Sequence, residues 1–101
     1  MVTIHYVEHG NMYSDQGVSR FVKEVQKNIK LECDWNTQVS NELVILALRA
    51  AVSQGEISSD KIRFSYRDNL IHVNKDGRFI DPLPEGFCDT FDKYLAILFN
   101  I

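Results

Sequence analysis

Apolar and polar residues alternate along Val2-Thr3-Ile4-His5-Tyr6-Val7, with Val2, Ile4 and Tyr6 on one side, which is the period-two signature of a half-buried strand. The polar stretch from Gly10 to Gly17 reads as a loop. From Val18 the period changes. Val18, Phe21, Val22, Val25 and Ile29 recur at helical spacing and leave Lys23, Glu24 and Lys27 for solvent, so an amphipathic helix is expected here. Leu31 to Asn36, with Cys33 and Trp35 alternating with Glu32 and Asp34, reads as an extended connection or a short strand.

A second helix is expected from Thr37 or Ser40 to Gln54, with Ser40 as its cap and Gly55 supplying the left-handed turn that stops it. Its apolar residues, from Leu43 through Val52, surround most of the cylinder, which predicts the most buried element of the fold. Ile62 and Phe64 then alternate with Arg63 and Ser65, and Leu70 to Val73 resumes a strand after Arg67-Asp68-Asn69. The stretch 61–74 is therefore expected to be a β-hairpin, with a second turn at Lys75-Asp76-Gly77. Beyond the prolines at 82 and 84, Asp89 can cap a last helix with the stripe Phe91, Tyr94, Leu95 and Leu98. These patterns predict one α+β domain over 1–101, in the order β-α-(β)-α-β-β-α, with amphipathic helices packed on a small sheet.

Composition narrows the function classes. A chain of 101 residues that is 45% hydrophobic and 25% charged has the make-up of a folded domain. Its formal charge of -3 sets up no basic field, which argues against nucleic acid as a partner. The longest strongly apolar stretch, Leu43 to Leu48, is far short of the roughly 20 residues that span a bilayer, and the start lacks a basic-then-apolar leader, so no membrane role and a cytoplasmic location are expected. Cys33 and Cys88 form no Cys-x-x-Cys motif and read as small apolar residues in or near the core.

Several segments from 41 to 93 carry a pattern: Asn41-Glu42-Leu43-Val44, Gln54-Gly55-Glu56-Ile57, Lys61-Ile62-Arg63-Phe64, Asp76-Gly77-Arg78, Pro84-Glu85-Gly86-Phe87-Cys88-Asp89 and Phe91-Asp92-Lys93. In this series residues 40–99 resemble the C-terminal end of bacterial ABC-like, RecF/SMC-type AAA ATPases, many of them encoded near phage-defence genes. The resemblance implies a detached relative of that ATPase end. It departs from the family where the switch motif stands: Val39 and Ser40 occupy the threonine and histidine positions, and only Glu42 keeps its type. There is also no Gly-x-x-x-x-Gly-Lys-[Ser/Thr] phosphate loop, so no nucleotide and no other cofactor is expected. The first 39 residues have no counterpart in that family.

Four groups of residues invite a chemical reading. His5, Glu8 and His9 could form a metal or acid–base site, but on a strand His5 and His9 lie about 13 Å apart, and they read first as solvated strand-end residues. Glu85 and Asp89 could bind a cation or do acid–base work, but they read first as a helix cap and a charge favouring the helix N-terminus. Cys88 could be a nucleophile only beside a base such as His72. Lys61, Arg63, Arg67 and Arg78, with Tyr66, could make a small basic patch for RNA or single-stranded DNA, diluted by Asp68, Asp76 and Asp81.

The leading expectation is a non-enzymatic interaction or regulatory protein, linked to a mobile element or a defence locus, that docks on a protein partner or on itself. Leu83 and Phe87, stiffened by Pro82 and Pro84 and flanked by Glu85, are its expected exposed anchors. A small nucleic-acid-binding or nuclease-type protein is the alternative.

Overall fold

The computed structural model describes residues 1–7, 15–84 and 87, those at 15 and 16 by their backbone only. The expected last helix, the Glu8-His9 pair, Glu85, Cys88 and Asp89 lie outside the described residues. Within them the chain runs β1 (Val2–Tyr6), α1 (Asp15–Lys30), β2 (Trp35–Val39), α2 (Glu42–Ser53), a single 3-10 turn (Ser59–Lys61), β3 (Ile62–Tyr66) and β4 (Asn69–Ile71). This is the expected α+β architecture. The four strands form one sheet in the order β2-β1-β3-β4, with β1 parallel to both neighbours and β4 antiparallel to β3.

Register follows the apolar alternation. Val2 pairs with Trp35 and Ile62, and Ile4 with Thr37 and Phe64, so the apolar sets of the three parallel strands fall on one face. Both helices cover that face. Phe21 of α1 stacks near Trp35, with ring centroids 6.0 Å apart. Arg49 of α2 lies over the Phe79 ring at 4.2 Å, and Phe79 meets Phe64 edge-on at 6.0 Å. Val2, Ile4, Val25, Ile45, Leu48, Phe64 and Ile71 are buried at the centre of this layer.

The ends of the helices show which stop signals a sequence displays. α2 ends in a Schellman motif: Gly55 stands at φ 78°, its amide donates to Val52 O, and Glu56 donates to Ala51 O. α1 ends in the same way without a glycine. Glu32 takes φ 54°, Glu32 N donates to Ile29 O and Cys33 N to Asn28 O. Lys27 and Lys30 in the last turn oppose the negative end of the helix dipole. α1 also begins earlier than expected, at Asp15, taking in Gly17.

At α2 the cap is Asn41 and not Ser40. The Asn41 side chain accepts from Leu43 N at 2.9 Å with an extended backbone, φ -117° and ψ 122°. Thr37 is no helix start either, because residues 37–39 belong to β2, where Thr37 and Val39 pair with Ile4 and Tyr6.

The expected hairpin is present in shortened form. Tyr66 pairs with Asn69 around Arg67 and Asp68, both left-handed at φ 48° and 65°, the geometry of a two-residue type I′ turn. After β4 a single bridge, Val73 to Phe79, encloses a second turn. There Asn74 Oδ1 accepts the amides of Asp76 and Arg78 at 2.9 and 3.1 Å, and Gly77 N donates to Asn74 O at 2.9 Å.

Candidate functional site

α2 is less fully buried than its composition suggested. Val44, Ile45, Leu48, Ala51 and Val52 face the core, while Leu43, Leu46, Ala47 and Ala50 form a second stripe on the outer side. The reason is geometric: with 3.6 residues per turn, one sheet and one neighbouring helix cover only part of the cylinder. Leu43 is 41% exposed. Together with Val18 of α1 these residues line a shallow apolar depression of about 240 Å³. It runs into a more polar cleft bordered by Ser19, Val22, Lys23, Gln26, Gln54 and Glu56. Alanines and leucines of α2, with Val18 of α1, thus line a trough between two helices.

The anchors expected near the prolines divide. Leu83 is exposed, at 38%. Phe87 is fully buried, at 0%, and its expected exposure is corrected: the ring sits 5.7 Å from Tyr6, 5.6 Å from Tyr66 and 5.5 Å from Phe79. Burying a whole aromatic ring outweighs leaving it in water, so Phe87 plugs the core. Cys33 is likewise no core residue. It is exposed, with its thiol 3.7 Å from Leu31 O.

The four basic residues do not converge. Lys61 precedes β3 and Arg67 follows it, so they stand at opposite ends of a strand, about 20 Å apart by the rise per residue. Arg67 lies over the Tyr66 ring at 5.1 Å. Arg78 is exposed beyond the second turn. Arg63 points to the sheet face away from the helices, where its Nε donates to Thr3 Oγ1 at 3.0 Å.

That second face is polar. Asn36 and Gln38 of β2, Thr3 and His5 of β1, and Arg63 and Ser65 of β3 occupy it, with Leu70 of β4 at the edge. His5 Nε2 and Asn36 Oδ1 are 3.1 Å apart. Sequence reasoning noticed His5 and Arg63 but could not put them together, because strand order decides which residues become neighbours.

His72 is engaged elsewhere. Its Nδ1 and its backbone amide both lie 2.7 Å from Asp81 Oδ2. The imidazole contact, then the amide bond, hold the Asp81 carboxyl below its ordinary range. Among the described residues no group of three or more His, Cys, Asp or Glu side chains is arranged to hold a metal ion, and no helix is long and apolar enough to cross a membrane. Comparison of the chain with known protein families, with curated proteins and with solved structures finds no match.

Proposed function

We propose that this chain is a non-enzymatic protein-interaction module whose docking surface is the trough between α1 and α2. The observation that carries the reading is the outer stripe of α2. Leu43, Leu46, Ala47 and Ala50 line up with Val18 in one apolar depression, whereas scattered single apolar residues are what a surface normally shows. A trough between two helices, with small residues in its lining, suits the apolar face of a third helix entering at close range. The occupant is a partner protein or a second copy of the chain. The resemblance of residues 40–99 to an ATPase C-terminus suggests the class of partner: a bacterial ATPase of that family, met in the cytoplasm, in a mobile-element or defence setting.

The surface around Leu83 and Phe87 supports this role less well, since only Leu83 is exposed. The spread of Lys61, Arg63, Arg67 and Arg78 along and around β3 removes the geometric support for a nucleic-acid patch.

The double variant Leu43→Asp, Leu46→Asp tests the reading, because it charges the trough and leaves the core-facing positions intact. Sedimentation equilibrium and capture from the source cell are compared with wild type, with circular dichroism as the check on folding. A folded variant that has lost self-association, or lost a specifically captured protein, is expected. A wild type that is monomeric at high concentration, together with an identical captured set for both proteins, overturns the proposal.

A further inference from the structure

Parallel strands normally lie under cover on both faces. Here β1 is parallel to both neighbours, and of the described elements α1 and α2 share one face while the other carries polar side chains. Two cross-strand contacts order its centre: Arg63 Nε donates to Thr3 Oγ1, and His5 Nε2 meets Asn36 Oδ1. Thr3 and Ser65 are only 3% and 8% exposed beneath the longer side chains. None of the described residues paired on this face, Asn36, Gln38, Thr3, His5, Arg63, Ser65 and Leu70, is acidic, and Asp34, just before β2, is engaged by the Met1 amino group at 3.2 Å. Arg63 is half-buried and forms no ion pair with any described carboxylate.

From this charge pattern we infer that the polar sheet face binds a phosphate-type oxyanion, as carried by a small phosphomonoester, between Arg63 and His5. A guanidinium that is partly withdrawn from water and has no described carboxylate beside it is a cation open to compensation by an anion. Because Thr3 takes Nε, the plane of the guanidinium is set and its Nη fork is left to meet two oxygens in parallel. His5 lies in the next row, paired in register with Ser65, about 6.6 Å along the strand from the Thr3–Arg63 row. A tetrahedral oxyanion seated between the rows reaches both side chains, with the Ser65 hydroxyl beneath it. The occupant is a small molecule and not a single-stranded nucleic acid, because among the described residues this face has no aromatic ring on which bases could stack.

The site lies on the opposite side of the sheet from the α1–α2 trough, so each proposal can fail alone. The test follows amide and Arg63 Nε–H resonances during titration with inorganic phosphate, with chloride at matched ionic strength as control. Saturable shifts centred on Thr3, His5, Arg63 and Ser65 are expected with phosphate only. In Arg63→Gln the dissociation constant should rise at least about tenfold, the scale of one lost charge-assisted contact. His5→Gln, which leaves the Arg63–Thr3 bond in place, should weaken binding to a smaller degree and serves if Arg63→Gln does not fold. Three results overturn the inference: no saturable shift, equal shifts with chloride, or undiminished binding in every folded variant. Tighter binding of oligouridylate than of phosphate, at the same residues, overturns the small-molecule assignment in favour of a nucleic acid.

Discussion

Gly77 and Gly55 share one backbone conformation, φ 76° and 78°, in different surroundings, which makes Gly77→Ala and Gly55→Ala a matched pair. Any side chain at either position incurs the left-handed penalty, about 1 to 2 kcal/mol. At Gly55 nothing else follows, because a Cβ there would have no atom within 4 Å. At Gly77 the Cβ would lie 2.2 Å from Arg49 O and 3.0 Å from Arg49 C, backbone atoms of α2 that cannot rotate aside. Relief requires the turn to move off the helix by about 1 Å, an overpacking cost of about 1 to 3 kcal/mol. The same movement strains the bond from Arg49 Nε to Gly77 O, 2.8 Å long, and the stacking of Arg49 on Phe79. Gly77→Ala should therefore destabilise by about 2 to 5 kcal/mol and Gly55→Ala by about 1 to 2 kcal/mol. Urea denaturation reads the difference as a shift of midpoint at constant slope. Equal losses for the two variants would refute the claimed close approach between the turn and α2, and with it the anchoring of residues 74–78 against that helix.

Phe87→Ala should lower stability by about 3 to 5 kcal/mol, the usual cost of emptying a buried aromatic site, measured in the same denaturation assay. A shift near zero would return Phe87 to the surface. Asp81→Ala should reduce stability at neutral pH and leave it unchanged in acid. Because the folded-state pKa of Asp81 is depressed, its contribution is present above the ordinary value of 3.8 and disappears as pH falls through the lower folded value. Thermal melts of both proteins across that range check this, and a constant gap between them at all pH values would exclude the His72 contact as its source.

Local pattern alone determined the elements whose signals lie within a few residues. The alternation in β1 and β3, the helical stripe of α1, and Gly55 after α2 are all legible because each rests on a period or on a residue type with a distinctive backbone preference. The stop at Glu32 was not legible. A non-glycine residue in the left-handed region gives no composition signal, and the motif exists only because Cys33 N reaches Asn28 O. Residues 37–39 looked like a helix start until pairing with β1 made them a strand, an outcome that depends on a partner some thirty residues away.

Exposure was decided by the tertiary structure as well. An apolar residue reads the same whether it is covered or bare, so Phe87 and Leu43 exchange their expected places once the ring of Phe87 finds Tyr6, Tyr66 and Phe79 and the outer side of α2 finds no covering element among the described residues. The polar face arises in the same way. His5, Asn36 and Arg63 sit on three strands separated by long stretches of chain, and only the order β2-β1-β3 makes them neighbours, because side-chain proximity across a sheet is set by register and not by distance along the sequence.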